Sequence, residues 1–171
     1  AGGGVVNAIE LSSAFHHIDQ GETTYPRYFN TANQQIIVDK LCALEKAETG
    51  LVFSSGMAAI STTLASLLRR GDHVLMQAGV YGGTRAFAAN EFEKLGMTAT
   101  LVDAPAAPWD SELRENTRLI YLESPNNPLL EIIDLQQIAD VARSRNIITL
   151  TDNTFASPIN QNPIDLGIDL V

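Results

Sequence analysis

Between Gln35 and Asp152 the sequence switches repeatedly between two hydrophobic periods, and that alternation narrows the fold more than any other feature. Ile36, Ile37, Leu41, Leu44 and Ala47 recur at helical spacing, and Gly50 follows as a stop. The short apolar run "LVFSS" precedes a small-residue helix, "GMAAISTTLASLLRR", closed by Gly71. "HVLMQ" reads as a strand, "GGTRAFAANEFEKLG" as a helix, "TATLVD" and "RLIYLES" as strands. "DLQQIADVARSRN" is an amphipathic helix opened by Asp134, and "IITLTD" is a strand that ends on an acid. Strands alternating with amphipathic helices are the pattern of βαβ units and a largely parallel sheet. "LIYL" and "IITL" are continuously apolar, as expected when helices cover both faces. The reading is an α/β fold, a mostly parallel sheet with flanking helices over residues 35–171. Residues 1–34, with "QGETTYPRYFNTANQ", read as an irregular N-terminal arm. The closing residues Ile168-Asp169-Leu170-Val171 read as a strand that has barely started.

Hydrophobic residues make up 45% of the chain and charged residues 18%, enough apolar material for a sizeable core. A net charge of -9 argues against nucleic acid and against an anionic membrane surface. It leaves room for an anionic ligand, because a few local donors outvote the global field. The single cysteine, Cys42, excludes an intramolecular disulfide and sits in a helical apolar pattern, so it reads as a packed thiol. No run is long enough for a membrane helix, and "AGGGVVNAIE" lacks a basic region before an apolar one, so the expectation is a cytoplasmic protein.

In an open α/β sheet, ligands bind beyond the carboxyl ends of the strands. Ser54, Ser55, Gly56 and Met57 follow "LVF"; Gly79, Val80, Tyr81, Gly82 and Gly83 follow "VLMQ". Glu123 to Pro128 follow "LIYL", and Asp152, Asn153 and Thr154 close "IITLT". Ser55-Gly56-Met57 opens a helix, whose free N–H groups and dipole suit a phosphate; the plain alternative is a serine N-cap. Tyr81, between glycines, can stack on a flat ligand or simply pack. Asp152 can hold a protonated ring nitrogen or cap a turn. Asn127 precedes Pro128 and also suits a turn. The adjacent His16 and His17 face apart and read as arm contacts, and Trp109 reads as packing. A phosphate, a flat ring and a basic ring nitrogen together describe pyridoxal phosphate.

The stretches "ALEKAETGLVFSSGMAAI", "GVYGGT", "YLESPNNPLLEIIDL" and "LTDNTFASP" resemble the transsulfuration enzymes of cysteine and methionine metabolism. That family of pyridoxal-phosphate enzymes includes cystathionine synthases and lyases, methionine lyase and acyl-homoserine sulfhydrylases. The resemblance runs from about Ser12 to Val171. It implies the large domain of a fold-type-I pyridoxal-phosphate-dependent transferase, truncated before the Schiff-base lysine. It also implies β- or γ-elimination, or γ-replacement, on sulfur amino acids or acylated homoserine, in a homodimer or dimer of dimers with shared active sites. On the matching positions, Gly56 and Met57 would give phosphate-binding amides beside Ser55. Tyr81 would stack on the cofactor and act in proton transfer. Asn127 would contact the ring's hydroxyl side, Asp152 the ring nitrogen, and Thr154 would lie beside Asp152. Tyr25 and Arg27 match residues that reach the phosphate of the neighbouring subunit. Two departures are visible: Pro26 between them, and Asn30-Thr31-Ala32 where the family has Asn-Pro-Thr. In the family the strand begun at Asp169 leads to a Ser-x-Thr-Lys turn. The three lysines of this chain, Lys40, Lys46 and Lys94, fall in helical patterns instead. The sequence therefore reads as the first part of a larger enzyme. An aminotransferase of the same fold and a non-catalytic fragment are the alternatives.

Overall fold

A computed structural model describes residues 5–16, 21, 23–103 and 108–171. It contains two compact units, Ala1–Phe53 and Ser54–Val171. In the first, a 3-10 turn at Pro26–Tyr28 precedes helix α1, Ala32–Glu45. Gln34 Oε1 accepts from the Thr31 N–H at 3.3 Å and from the Thr31 hydroxyl at 2.8 Å, closing the start of α1. Nothing in α1 is fully buried, so the packed thiol expected at Cys42 is only half-buried. Leu51–Phe53, expected as a strand from its apolar run, forms none. Three apolar residues are too few to distinguish a strand from a packed loop without a ladder partner.

The second unit is the parallel sheet. Strands β1 (His73–Gln77), β2 (Thr98–Val102), β3 (Thr117–Glu123) and β4 (Ile148–Asp152) lie in the order β2-β1-β3-β4, every pair parallel. Helices α2 (Gly56–Leu67), α3 (Gly82–Leu95) and α4 (Leu135–Ser144) flank it, followed by the short α5 (Ser157–Asn160). Strand side chains alternate between faces. Val74, Met76, Leu119, Tyr121 and Leu150 pack with Leu64 of α2 and Ala88 and Phe92 of α3. Leu75, Ile120 and Leu122 pack with Leu135, Ile138, Ala139 and Ala142 of α4, and Trp109 joins this face. The two cores explain the continuously apolar strands.

The closing residues do begin a strand. Leu170 bridges β4 in parallel, donating its N–H to the Thr149 carbonyl at 3.0 Å and accepting from the Thr151 N–H at 2.9 Å. Ile168 is buried on the α4 side and Leu170 packs on the other. Among the described residues, no helix is long and apolar enough to cross a membrane.

At the opposite sheet edge from the strand carboxyl ends, His73 is fully buried. Its Nδ1 lies 2.8 Å from Thr117 Oγ1 and its Nε2 lies 2.9 Å from Thr100 Oγ1, so one imidazole links β1 to both neighbours. Burial lowers its pKa to about 4, with the Arg114 charge adding to the effect. Both threonine oxygens already accept from Arg114, by its backbone N–H and its guanidinium. The unfolded chain therefore takes up the proton first. Stability is fully present above the ordinary value of 6.5 and falls as the pH drops from there towards about 4. Chemical denaturation across that window is expected to show a loss of about 1–3 kcal/mol. His73→Gln is expected to flatten it.

Candidate active site

Because all strands run the same way, their carboxyl ends share one edge. Four loops meet there. At the start of α2, Ser55 is extended and its Oγ accepts from the Ala58 N–H at 3.0 Å. The N-cap reading of Ser55 is thus correct, and it does not exclude anion binding. The N–H groups of Gly56 and Met57 precede Ala59, the first N–H with an intrahelical backbone acceptor, and point outward at the positive helix end. Nothing lies within 4 Å of the place a Gly56 Cβ would occupy. An anion can approach this backbone closely.

The start of α3 lies beside it. The Met57 sulfur is 3.9 Å from Thr84 Oγ1 and would be 3.0 Å from a Cβ on Gly83. That same Cβ would stand 2.6 Å from Tyr81 Cε1, so glycine lets the tyrosine ring lie back over the helix start. Tyr81 stays 46% exposed, which leaves surface for stacking. The Tyr81 backbone is held at both ends: its N–H donates to Glu123 Oε2 at 2.6 Å, and its carbonyl accepts from the Arg85 N–H at 3.1 Å.

Glu123 ends β3 and is only 5% exposed. Its Oε1 accepts from the Asn127 N–H at 3.0 Å, and its own N–H donates to Gln77 Oε1 at 2.9 Å. Burial raises its pKa; the Tyr81 N–H opposes this, the Asp152 charge adds to it, and the Asn127 N–H opposes it more weakly. Asn127 itself is exposed, while Asn126 is buried and pairs twice with Glu131, Nδ2 to Oε2 at 2.7 Å and Oδ1 from N–H at 2.9 Å. Gly79 packs against that amide so closely that a Cβ would collide with Asn126 Nδ2.

Asp152 ends β4 beside Glu123 in register and is half-buried. Its Oδ1 accepts from the Thr154 N–H at 2.9 Å, and among the described residues Oδ2 has no hydrogen-bond partner. Among the described residues the buried Gln77 Nε2 has no hydrogen-bond partner, and the buried Tyr121 Oη lies near Thr84 without a well-formed hydrogen bond. Burial pushes the Tyr121 phenol above its ordinary range, Thr84 opposes this, and the Asp152 and Glu123 charges add to it. The edge thus offers helix N–H donors, a half-exposed tyrosine and a carboxylate oxygen with no partner among the described residues. That donor set suits a ligand with a phosphate, a flat ring and a cationic nitrogen.

Ser55, Gly56, Met57, Tyr81, Asn127, Asp152 and Thr154 all belong to the second unit. Tyr25 and Arg27 belong to the first, on its 3-10 turn. Arg27 is exposed; Tyr25 packs edge-on against Tyr28 at 5.2 Å, and its N–H donates to Asn30 Oδ1 at 2.9 Å. His16 is exposed, and His17 lies outside the described residues. Lys40 lies in α1, Lys46 just past its end in left-handed backbone, and Lys94 pairs with Glu91 at 2.8 Å. Sequence reasoning assigned no role to Glu123, Asn126 or Gln77. The available signal was an acid and an amide, Glu123 and Gln77, placed directly after buried apolar runs, with Asn126 three residues further on.

A family model described as Cys/Met metabolism PLP-dependent enzyme matches residues 2–171. The chain is 38% identical over 172 residues to the cystathionine gamma-synthase/O-acetylhomoserine (thiol)-lyase of Bacillus subtilis, covering 98% of this chain and 46% of that protein. It is also 38% identical over 172 residues to the cystathionine gamma-lyase of the same organism, covering 99% and 45%. The crystal structure of metB from Corynebacterium glutamicum superposes with a TM-score of 0.91 at 32% identity, over 97% of this chain and 44% of that one. The chain spans about half the length of the curated relatives it matches.

Two glycines of this edge separate packing from openness. Gly79→Ala drives a methyl into the buried Asn126 amide and is expected to cost about 1–3 kcal/mol. Gly56→Ala enters open space at a helix start and is expected to change stability by less than about 0.5 kcal/mol. Thermal unfolding of the two variants checks the contrast.

Proposed function

The chain belongs to the Cys/Met metabolism PLP-dependent enzyme family, and we propose that the whole protein is a transsulfuration enzyme acting on a sulfur amino acid or an acylated homoserine. The observation that carries this reading is the convergence of the α2 start, the Tyr81 ring and the Asp152 carboxylate on one sheet edge. β- or γ-elimination and γ-replacement both stay within the proposal, since the chain is equally similar, at 38% identity, to a synthase and to a lyase.

When bound, pyridoxal 5'-phosphate supplies an electron sink for amino-acid chemistry. The residues of this chain would hold and orient it. In the proposal, the Gly56 and Met57 N–H groups, with Ser55 beside them, bind the phosphate. Tyr81 stacks on the ring and moves a proton at its phenol oxygen. Asn127 faces the ring's hydroxyl, and Asp152 Oδ2 holds the proton on the ring nitrogen, with Thr154 fixing the other carboxylate oxygen. A carboxylate already oriented by a backbone N–H needs no reorganisation to stabilise that charge. We further propose that Arg27, with Tyr25, reaches the phosphate of a neighbouring subunit.

The full-length protein is expected to take up pyridoxal 5'-phosphate and gain its absorbance in the visible violet. A protein that gains none refutes the reading. Asp152→Asn keeps the shape and removes the charge, so turnover is expected to fall about 100-fold or more with little change in thermal stability. Equal large losses of stability would make Asp152 structural. For Arg27, mixing Arg27→Ala with Tyr81→Phe subunits is expected to restore activity, because a hybrid dimer holds one site free of both changes. No recovery, despite demonstrated subunit exchange, would remove Arg27 from the neighbour's site.

A further inference from the structure

We propose that Glu123 is a positioning residue whose single carboxylate sets the placement of Tyr81 relative to Asn127 across the site. The inference rests on the functional reading above for the roles of those two residues, but its geometry stands independently. Tyr81 belongs to the loop after β1, Asn127 to the loop after β3. No strand ladder joins the two loops at this level, since the β1–β3 register ends at Met76 and Tyr121. Beyond it, the link is side chain to backbone. Glu123 Oε2 takes the Tyr81 N–H at 2.6 Å and Oε1 takes the Asn127 N–H at 3.0 Å. Gln77, the last residue of β1, fixes the base of the carboxylate by accepting the Glu123 N–H at 2.9 Å.

An ionised carboxylate satisfies both donors best. It offers acceptor oxygens on both sides, whereas an amide presents N–H on one side. The two N–H bonds are charge-assisted, and they favour the ionised form against the burial and the Asp152 charge that oppose it. The consequence is local. The Tyr81 ring hangs from a backbone pinned at its N–H by Glu123 and at its carbonyl by Arg85. Releasing the first pin lets the helix start, and the ring on it, shift relative to the loop that carries Asn127. A shift of that kind damages alignment more than it damages the fold, because misplacement of a positioned group acts on the transition state.

Glu123→Gln in the full-length protein provides the test. Without cofactor, hydrogen-exchange mass spectrometry is expected to show faster exchange in both segments 78–85 and 124–131, with the α4 and β4 amides unchanged. Faster exchange in only one segment, or in neither, overturns the proposal. With cofactor and substrate, kcat is expected to fall about 10–100-fold with KM changed less than about threefold. In a Tyr81→Phe background the same substitution is expected to cost much less, because its effect passes through Tyr81. A fully additive double mutant overturns the positioning role. Should Glu123→Gln fail to fold, the wild-type protein still decides the matter: one carboxylate holding both amides predicts similar protection at Tyr81 and Asn127, and protection differing more than tenfold overturns it. A wild-type protein that binds no cofactor would refute the functional reading while leaving the exchange result to stand on its own.

Discussion

Parallel pairing of β1 with β3, buried on both faces, is the constraint on which the rest of the structure depends. Val74, Leu75 and Met76 face Leu119, Ile120 and Tyr121 in register, and all six are fully buried. With no water available, their backbone groups must pair with one another. Parallel pairing sends every strand's carboxyl end to the same edge, and each crossover helix must begin there. Parity then settles which side chain meets which helix. Tyr121 faces α2 and α3, so Glu123, two residues on, projects to the same layer and meets the start of α3 at Tyr81. A slip of one residue would turn it towards α4 and leave the Tyr81 N–H without this partner.

Past the last ladder bond, a second rule takes over. The loops at this edge are partly buried, and their polar groups still need partners. Side chains provide them. Ser124 Oγ accepts from the Ile133 N–H at 3.1 Å, and Gln161 Nε2 donates to the Ser124 carbonyl at 2.7 Å and to Asn153 Oδ1 at 2.9 Å. Asn126 and Glu131 close the loop between them. Strand spacing is thereby carried beyond the strands, to the loops of the candidate site. Gly79 and Gly83 serve the same end by absence: one makes room for the Asn126 amide, the other for the Tyr81 ring.

The parts of this architecture that follow from local periodicity were legible in the sequence. The four paired strands and the helices between them were marked by their hydrophobic periods. Asp134 was read as opening α4, and it accepts from the Gln137 N–H at 2.9 Å. Trp109 was read as packing and is buried. The rest depends on residues far apart in the chain. "LVF" looks like a strand until one asks what it pairs with. His73 looks like a strand residue of no note, because Thr100 and Thr117 lie 27 and 44 positions away. Glu123 was visible as an acid after a buried run, but its two donors come from separate loops. Of the site itself, the residue types at the strand ends were readable, and the bonds that orient them were not.

Glu123 and Asp152 show how the same chemical group takes two different parts. They are adjacent across β3 and β4 and end equivalent strands. Two carboxylates side by side, one buried and one half-buried, raise each other's free energy when ionised, and hydrogen-bond donors offset this. The donors are distributed unequally. Glu123 is almost inaccessible and has both oxygens engaged by backbone N–H groups. Asp152 is less buried and has one oxygen engaged by Thr154, with the other bare among the described residues. The first carboxylate is saturated inside the protein and can only hold the loops. The second keeps one acceptor oxygen without a hydrogen-bond partner among the described residues. In the proposed reading, an ionised Glu123 beside Asp152 adds to the attraction a positive ring nitrogen would feel there, so the buried acid that shapes the loops would also favour that charge.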